Sequence, residues 1–261
     1  ILKSKKINSL PLLGWQIPII TDENHEKAKI LNINKERIHL FFEEFDVIVL
    51  AGFQGINSKG FITSLGRGGS DTTAVAIASA VEAERCDIYT DVEGVFTTDP
   101  NVELKAKKIE KLSFEEMLEM SSMGAKVLQT RSVELAMKNN LTLQVLSSLT
   151  RNEGTYILDE KNLVEKEIVS AVSFSKNESK ITISGIPDRP GISAKLFGLM
   201  SQNNINVDMI VQNISQDGIF ANITFTISSK DHDFAKSVIK SNIKLLNYKS
   251  LHTYKNVSKI S

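Results

Sequence analysis

Residues 66–71 read GRGGSD, a run in which every residue can take part in chemistry. Gly66, Gly68 and Gly69 allow positive φ and close backbone approach, and their N–H groups can form an anion-binding nest. Ser70 is a good N-cap for the helix that follows, whose N-terminus favours negative charge. Arg67 adds a planar fork suited to a carboxylate or a phosphate. Asp71 is a poor phosphate ligand, because like charges repel; orienting a lysine or helping to hold a metal suits it better. The run has neither the lysine nor the spacing of a P-loop, and it is not G-x-G-x-x-G. Such a loop can face an anionic small substrate on one side and a transferred phosphoryl group on the other. The plainer alternative is a tight turn leading into a capped helix.

A second run, YTDVEGVFTTDP at 89–100, weighs toward a site. A strand is expected to end at Thr90 and Asp91, and ligands of open α/β sheets bind at the carboxyl ends of strands. Asp91 alone could equally cap a turn. In GAK at 124–126, taken as the opening of a helix, Lys126 opposes the macrodipole unless an anion is near, which points to phosphate.

These residues need a scaffold. Residues 1–160 alternate strand-like and helix-like segments, the signature of an α/β sheet. FDVIVLAGF (45–53) has the continuous apolar run of a strand buried on both faces. DTTAVAIASAVEAE (71–84) predicts a helix, DIYTD (87–91) a strand, and SFEEMLEMSSMG (113–124) a helix with Ser113 and Glu116 as a capping box. AKVLQTRSVELAMKNN (125–140) predicts a further helix and LTLQVLS (141–147) a strand. From about residue 170 the order becomes βαββαβ, a ferredoxin-like arrangement. Its last strand is expected within 243–254. The fold class is therefore α/β, an open sheet with helices on both faces followed by a ferredoxin-like module. The expected limits are 1–160 for the first domain and 170–255 for the second, with 256–261 opening a further module.

Composition narrows the function. Of 261 residues, 31 are Lys or Arg and 31 are Asp or Glu, without the basic excess usual in a nucleic-acid binder. No apolar run approaches the roughly 20 residues of a membrane helix. Cys86, the only cysteine, cannot form an internal disulfide, and a packed thiol in a reducing, cytoplasmic compartment is expected. His25, His39, His232 and His252 are scattered, with no zinc-site spacing.

Taken together, GWQIPIITD (14–22), VLAGFQGIN (49–57), TSLGRGGSDTTAVAIA (63–78), YTDVEGVFTTDP, SFEEMLEMSSMGAKVLQTRSVELA (113–136), GIPDRPGISAKLF (185–197) and INVDMIVQN (205–213) resemble the aspartate kinases, nearly end to end. The resemblance implies an amino-acid-kinase fold followed by an ACT module, and ATP-dependent phosphorylation of L-aspartate to 4-phospho-L-aspartate. It implies that Arg67 binds a carboxylate of aspartate, that Ser70 helps to position it, and that Asp71 belongs to the catalytic polar network. Thr90, Asp91, Phe96 and Lys126 would serve ATP, with Mg²⁺ held mostly by phosphates and waters; no protein metal ligand is identified. In the ACT module it makes Asp188 and Gln212 effector-site residues, with lysine and/or threonine as effector. It also implies a homodimer or larger assembly, with neither nucleic acid nor membrane as partner.

Departures from the family pattern stand out. Phe96 replaces a usual tyrosine, and Asn101 a usual arginine, which predicts weaker ATP contact. The family's lysine loop, K-F-G-G-[TS]-S, its acidic residue for the aspartate amine and its second ACT module are expected outside the 261 residues, so the segment alone is expected to be inactive. The alternative is a non-catalytic, amino-acid-sensing regulatory chain, against which GRGGSD and TDVEGVFTTDP argue. A kinase of the same fold acting on glutamate, acetylglutamate or UMP is disfavoured by the ACT-like module.

Overall fold

The computed structural model describes residues 1–125, 127–162, 169–215 and 218–261. The chain divides into a unit of residues 1–173, joined by Ser261, and a unit of residues 174–260. The first carries β1 (Ser9–Leu12), β2 (Ile19–Thr21), β3 (Ile30–Ile33), α1 (Lys35–Glu44), β4 (Val47–Leu50), β5 (Gln54–Ile56), β6 (Ile62–Ser64) and α2 (Gly69–Ala80). It continues with β7 (Cys86–Thr90), β8 (Lys111–Ser113), α3 (Phe114–Ser122), α4 (Thr130–Lys138), β9 (Leu143–Ser147) and β10 (Thr155–Leu158).

The α/β class is as expected, with mixed rather than purely parallel pairing. β7 and β9 run parallel, β10 returns antiparallel to β9, and β8 lies parallel to β10. Their apolar residues, Ile88, Leu112, Leu143, Val145 and Ile157, share one buried cluster with Met117 of α3 and Val133 of α4. A second mixed sheet has the order β3-β2-β5-β6, and β1 pairs in parallel with β4. Among the described residues β4 has no other partner. Val49 is therefore 49% exposed, not buried on both faces as its apolar run predicts.

Local signals set several helix ends. Ser113 caps α3, accepting from Glu116 N at 3.1 Å, while the Glu116 carboxylate accepts from Ser113 N at 2.8 Å, the reciprocal pair expected from the sequence. Burial pushes the Cys86 thiol up to about 11, so it packs as a neutral apolar group.

The second unit carries β11 (Phe174–Pro187), α5 (Ile192–Gln202), β12 (Val207–Ile214), β13 (Phe220–Ser228), α6 (His232–Ser241), α7 (Ile243–Leu246) and β14 (Ser250–Ile260). The strand order β12-β13-β11-β14 is antiparallel throughout, the ferredoxin-like arrangement. Leu196 and Met200 of α5 and Ala235 and Ile239 of α6 cover Ile183, Ile223 and Phe225. The last strand differs from expectation. Ile243–Leu246 is a helical turn that ends at Asn247 in the left-handed region (φ +49°), and the strand starts at Ser250. Residues 256–261, expected to open a further module, carry the end of β14, with Val257 opposite Glu178. β12 is an edge strand, with Met209, Ile210, Val211 and Ile214 between 42% and 58% exposed.

Candidate functional site

The glycine run forms the entry to α2, and its geometry departs from expectation in one respect. The N-cap is Gly68 (φ +72°), so α2 starts at Gly69 and Ser70 stands in the first turn. Gly66 (φ +75°) and Gly68 both take positive φ, and the turn closes with Gly69 N donating to Gly66 O at 2.9 Å. Thr72 N and Thr72 Oγ1 both donate to Gly68 O, at 3.0 and 2.9 Å. Thr73 Oγ1 donates to Gly69 O at 2.7 Å and accepts from Phe53 N at 3.0 Å. The first turn is thus held to its own loop and to the chain beyond β4.

Arg67, Ser70 and Asp71 lie together at this turn. Arg67 and Ser70 are exposed; Asp71 is half-buried. Ser70 Oγ stands 3.4 Å from Asp71 Oδ1. Burial raises the Asp71 carboxyl above the usual carboxylate range, against the opposing pull of Ser70 and of the backbone N–H of Gln129. Gln129 is the N-cap of α4. The opening of α4 therefore meets the opening of α2.

Between them is a cavity of about 310 Å³ lined by Arg67, Ser121, Gly124, Ala125, Leu128, Gln129 and Thr130. Helix 4 begins at Thr130, not at Ala125 as its apolar spacing suggests, because Gly124 (φ +103°) turns the chain after α3. The Gln129 side chain makes no capping bond, and the first turn of α4 has no acidic residue. Backbone N–H groups at such a start suit an anion. Lys126, assigned to phosphate from the sequence, lies outside the described residues.

Thr90 and Asp91 sit at the carboxyl end of β7, as expected, with Thr90 Oγ1 donating to Asp91 Oδ1 at 3.1 Å. Phe96 is half-buried in the loop beyond, bridged antiparallel to Lys108. Asn101, at the position of the usual arginine, turns toward Asp99: its backbone N and Nδ2 donate to Asp99 Oδ1 at 2.9 and 3.1 Å. In the second unit Gln212 Oε1 accepts from Ser193 Oγ at 3.2 Å, and Asp188 N donates to Ile219 O at 2.9 Å. Each is held by a different neighbour.

The sequence profile of the amino acid kinase family matches residues 1–147, and that of the ACT domain matches residues 181–243. The chain belongs to the amino acid kinase family. Among the chain's relatives, an aspartate kinase of Pseudomonas putida is 45% identical over all 261 residues, which span 63% of that protein. Escherichia coli aspartokinase III, solved with lysine and aspartate, superposes with a TM-score of 0.76 at 26% identity. The same enzyme solved with aspartate and ADP gives 0.75; both alignments cover 99% of this chain and 58% of that one. The chain thus spans about three-fifths of the length of the relatives it matches.

Two residues of the chain that sequence reasoning passed over hold the site in place. Thr155 on β10 is fully buried. Its Oγ1 accepts from Val95 N at 2.8 Å and donates to Ile109 O at 2.6 Å, so one hydroxyl ties the loop after β7 to the chain leading into β8. Arg131 on α4 donates to Leu65 O at 3.1 Å and to Ala28 O at 2.9 Å. The partners are 60 and 46 residues from Thr155, and 66 and 103 residues from Arg131, so no local pattern announces either.

Proposed function

We propose that this chain serves aspartate kinase chemistry, the transfer of a phosphoryl group from ATP to the side-chain carboxylate of L-aspartate to give 4-phospho-L-aspartate and ADP. The observation that carries the reading is the cavity lined by Arg67 together with Gln129 and Thr130 at the start of α4. Arg67 and the residues that open α4 line a common space, which suits anionic ligands. The solved E. coli relative with aspartate and ADP supports the same pairing of ligands.

In this reading Arg67 grips a carboxylate of aspartate in a bidentate manner, and Ser70 donates to it. Asp71 belongs to the polar network beside that carboxylate, next to Ser70 and to the backbone N–H of Gln129. Thr90, Asp91 and Phe96 receive the nucleotide at the end of β7. Lys126 would join them from outside the described residues. ATP supplies the phosphoryl group, and Mg²⁺ bound with it would offset its charge. The ion is assigned mostly to phosphates and waters, since Mg²⁺ keeps several waters and binds through substrate phosphates. Phosphoryl transfer asks a protein chiefly for such positioning and charge stabilisation.

The ACT-type unit is assigned an amino-acid effector, lysine and/or threonine, with Asp188 and Gln212 as contacts; lysine in the solved E. coli relative supports this. The exposed edge of β12 supports a homodimer or larger assembly. A cytoplasmic setting fits the reduced thiol of Cys86, and among the described residues no helix is long and apolar enough to cross a membrane.

Titration of the chain with L-aspartate and, separately, with Mg-ADP tests the reading. Saturable binding of both, with Asp91→Ala weakening Mg-ADP alone, is expected. Preference for glutamate or acetylglutamate over aspartate would overturn it. Selective binding of lysine or threonine, without aspartate or nucleotide, would favour the sensing chain instead.

A further inference from the structure

The glycine run is held from outside on two sides. On one side the loop at residues 22–29 folds over it: a Cβ on Gly66 would stand 3.0 Å from Glu26 O and 3.2 Å from Lys27 Cγ. That loop is itself stitched to β6 and the residues beside it, with Ala28 N donating to Ser64 O at 2.9 Å and Ser64 N to His25 O at 3.0 Å. On the other side stands Gln129, against Gly68. Arg131, two residues along the chain from Gln129, is the side chain that reaches both layers. Its two terminal nitrogens divide between Leu65 O, immediately before Gly66, and Ala28 O in the covering loop.

We propose that Arg131 is a positioning residue for the acceptor side of the site, a guanidinium clamp that fixes the Gly66–Gly69 turn and thereby the direction of Arg67. The proposal rests on the reading of Arg67 as the aspartate-binding residue. The chemistry calls for arginine. A guanidinium offers donors in a rigid fork that can serve two carbonyls at once, whereas an ammonium is a single point on a flexible stem. Half-burial strengthens charge-assisted bonds of this kind relative to water. Leu65 is itself 2% exposed, so its carbonyl is fixed in a packed setting, and the chain leaves it directly into the turn. Loss of the clamp would free the turn to rock about Leu65. Thr90 and Asp91 at the end of β7 would keep their own support. The effect should therefore be one-sided, weakening aspartate and sparing nucleotide.

The test combines hydrogen exchange with ligand titration on the 261-residue chain carrying Arg131→Ala or Arg131→Lys. In Arg131→Ala, the amides of residues 66–69 and 26–28 should exchange faster, while those of β7 and β9 stay protected. The Kd for L-aspartate should rise by about tenfold or more, in line with the cost of a small misplacement of a positioned group. That for Mg-ADP should stay within about twofold. Arg131→Lys should fall between, keeping one carbonyl partner. Unchanged exchange at residues 66–69 overturns the proposal. Equal weakening of both ligands, or general loss of protection in both variants, also overturns it, by making Arg131 a general stabiliser. If the unsubstituted chain binds no L-aspartate, the exchange measurement alone still decides whether Arg131 clamps the turn.

Discussion

Gln129 occupies the place that a side chain on Gly68 would need: its Cγ lies 2.0 Å from where a Cβ would be. Gly68 also has φ +72°, where L side chains are strained by about 1–2 kcal/mol. Gly68→Ala should therefore cost the left-handed strain plus an overpacking penalty of about 1–3 kcal/mol. Gly60→Ala is the matched control, since Gly60 has φ +81° and nothing within 4 Å of a built Cβ. Chemical denaturation of the two variants should show Gly68→Ala as the more destabilised. Equal losses would mean that Gln129 moves aside freely.

Arg67 should be needed for the acceptor and not for the nucleotide. Arg67→Ala is expected to weaken L-aspartate binding by at least about tenfold, the loss of a charge-assisted, bidentate contact. Arg67→Lys should recover only part of it, since lysine keeps the charge and loses the fork. Calorimetric titration separates the two ligands. An unchanged aspartate affinity in Arg67→Ala would remove the residue from the site.

Asp71 should trade stability for chemistry. Its carboxyl is raised by burial above its unfolded value, so the protonated form is favoured by folding. The corresponding stabilisation is fully present below the unfolded pKa and is lost as pH rises through the folded one. Asp71→Asn removes that dependence, because its amide stays neutral. The variant should melt at or above the temperature of the unsubstituted chain at pH 8, with the difference shrinking toward pH 4. In an active kinase preparation it should also lower kcat/KM for L-aspartate, by disturbing the polar network that Asp71 shares with Ser70 beside Arg67. A variant less stable at pH 8 but equally active would contradict both roles.

His232 predicts the opposite slope in the second unit. It is 4% exposed and its Nδ1 has no hydrogen-bond partner among the described residues. Burial, and then Lys255, lowers its pKa below the usual 6.5. The unfolded chain then takes up the proton first. Stability is complete above about pH 6.5, falls as pH drops through the folded pKa, and is lowest below it. Thermal melts between pH 7.5 and 5 should show this loss for residues 174–260, and His232→Asn should flatten it. A profile that is flat in the unsubstituted chain would indicate that His232 finds a partner in solution.

Much of the scaffold was legible because its signals are local. The Ser113–Glu116 capping box lies within four residues, and the ferredoxin-like order follows from short runs of strand and helix periodicity. The helix starts were less legible. Ser70 has the chemistry of a cap, but two positive-φ glycines moved the cap to Gly68. The start of α4 was misplaced because the apolar spacing of 125–129 continues into the helix while Gly124 turns the chain. The apolar run of β4 suggested burial, but burial depends on neighbours that sequence periodicity does not reveal. For the candidate site, the sequence indicated which residues could do chemistry and left unseen those that hold them, Thr155 and Arg131. Their partners are backbone groups many tens of residues away, and a backbone carbonyl has no sequence signature.

Thr155 also limits how this sequence can drift. On most strands threonine, valine and isoleucine are near equivalents, since all three are β-branched and suit a pleated sheet. At position 155 they are not interchangeable. Valine would fill the same space and leave Val95 N without its partner, and the hydroxyl's bond to Ile109 O would vanish with it. A lineage passing through valine would have to rebuild the loop after β7 before it could keep the change.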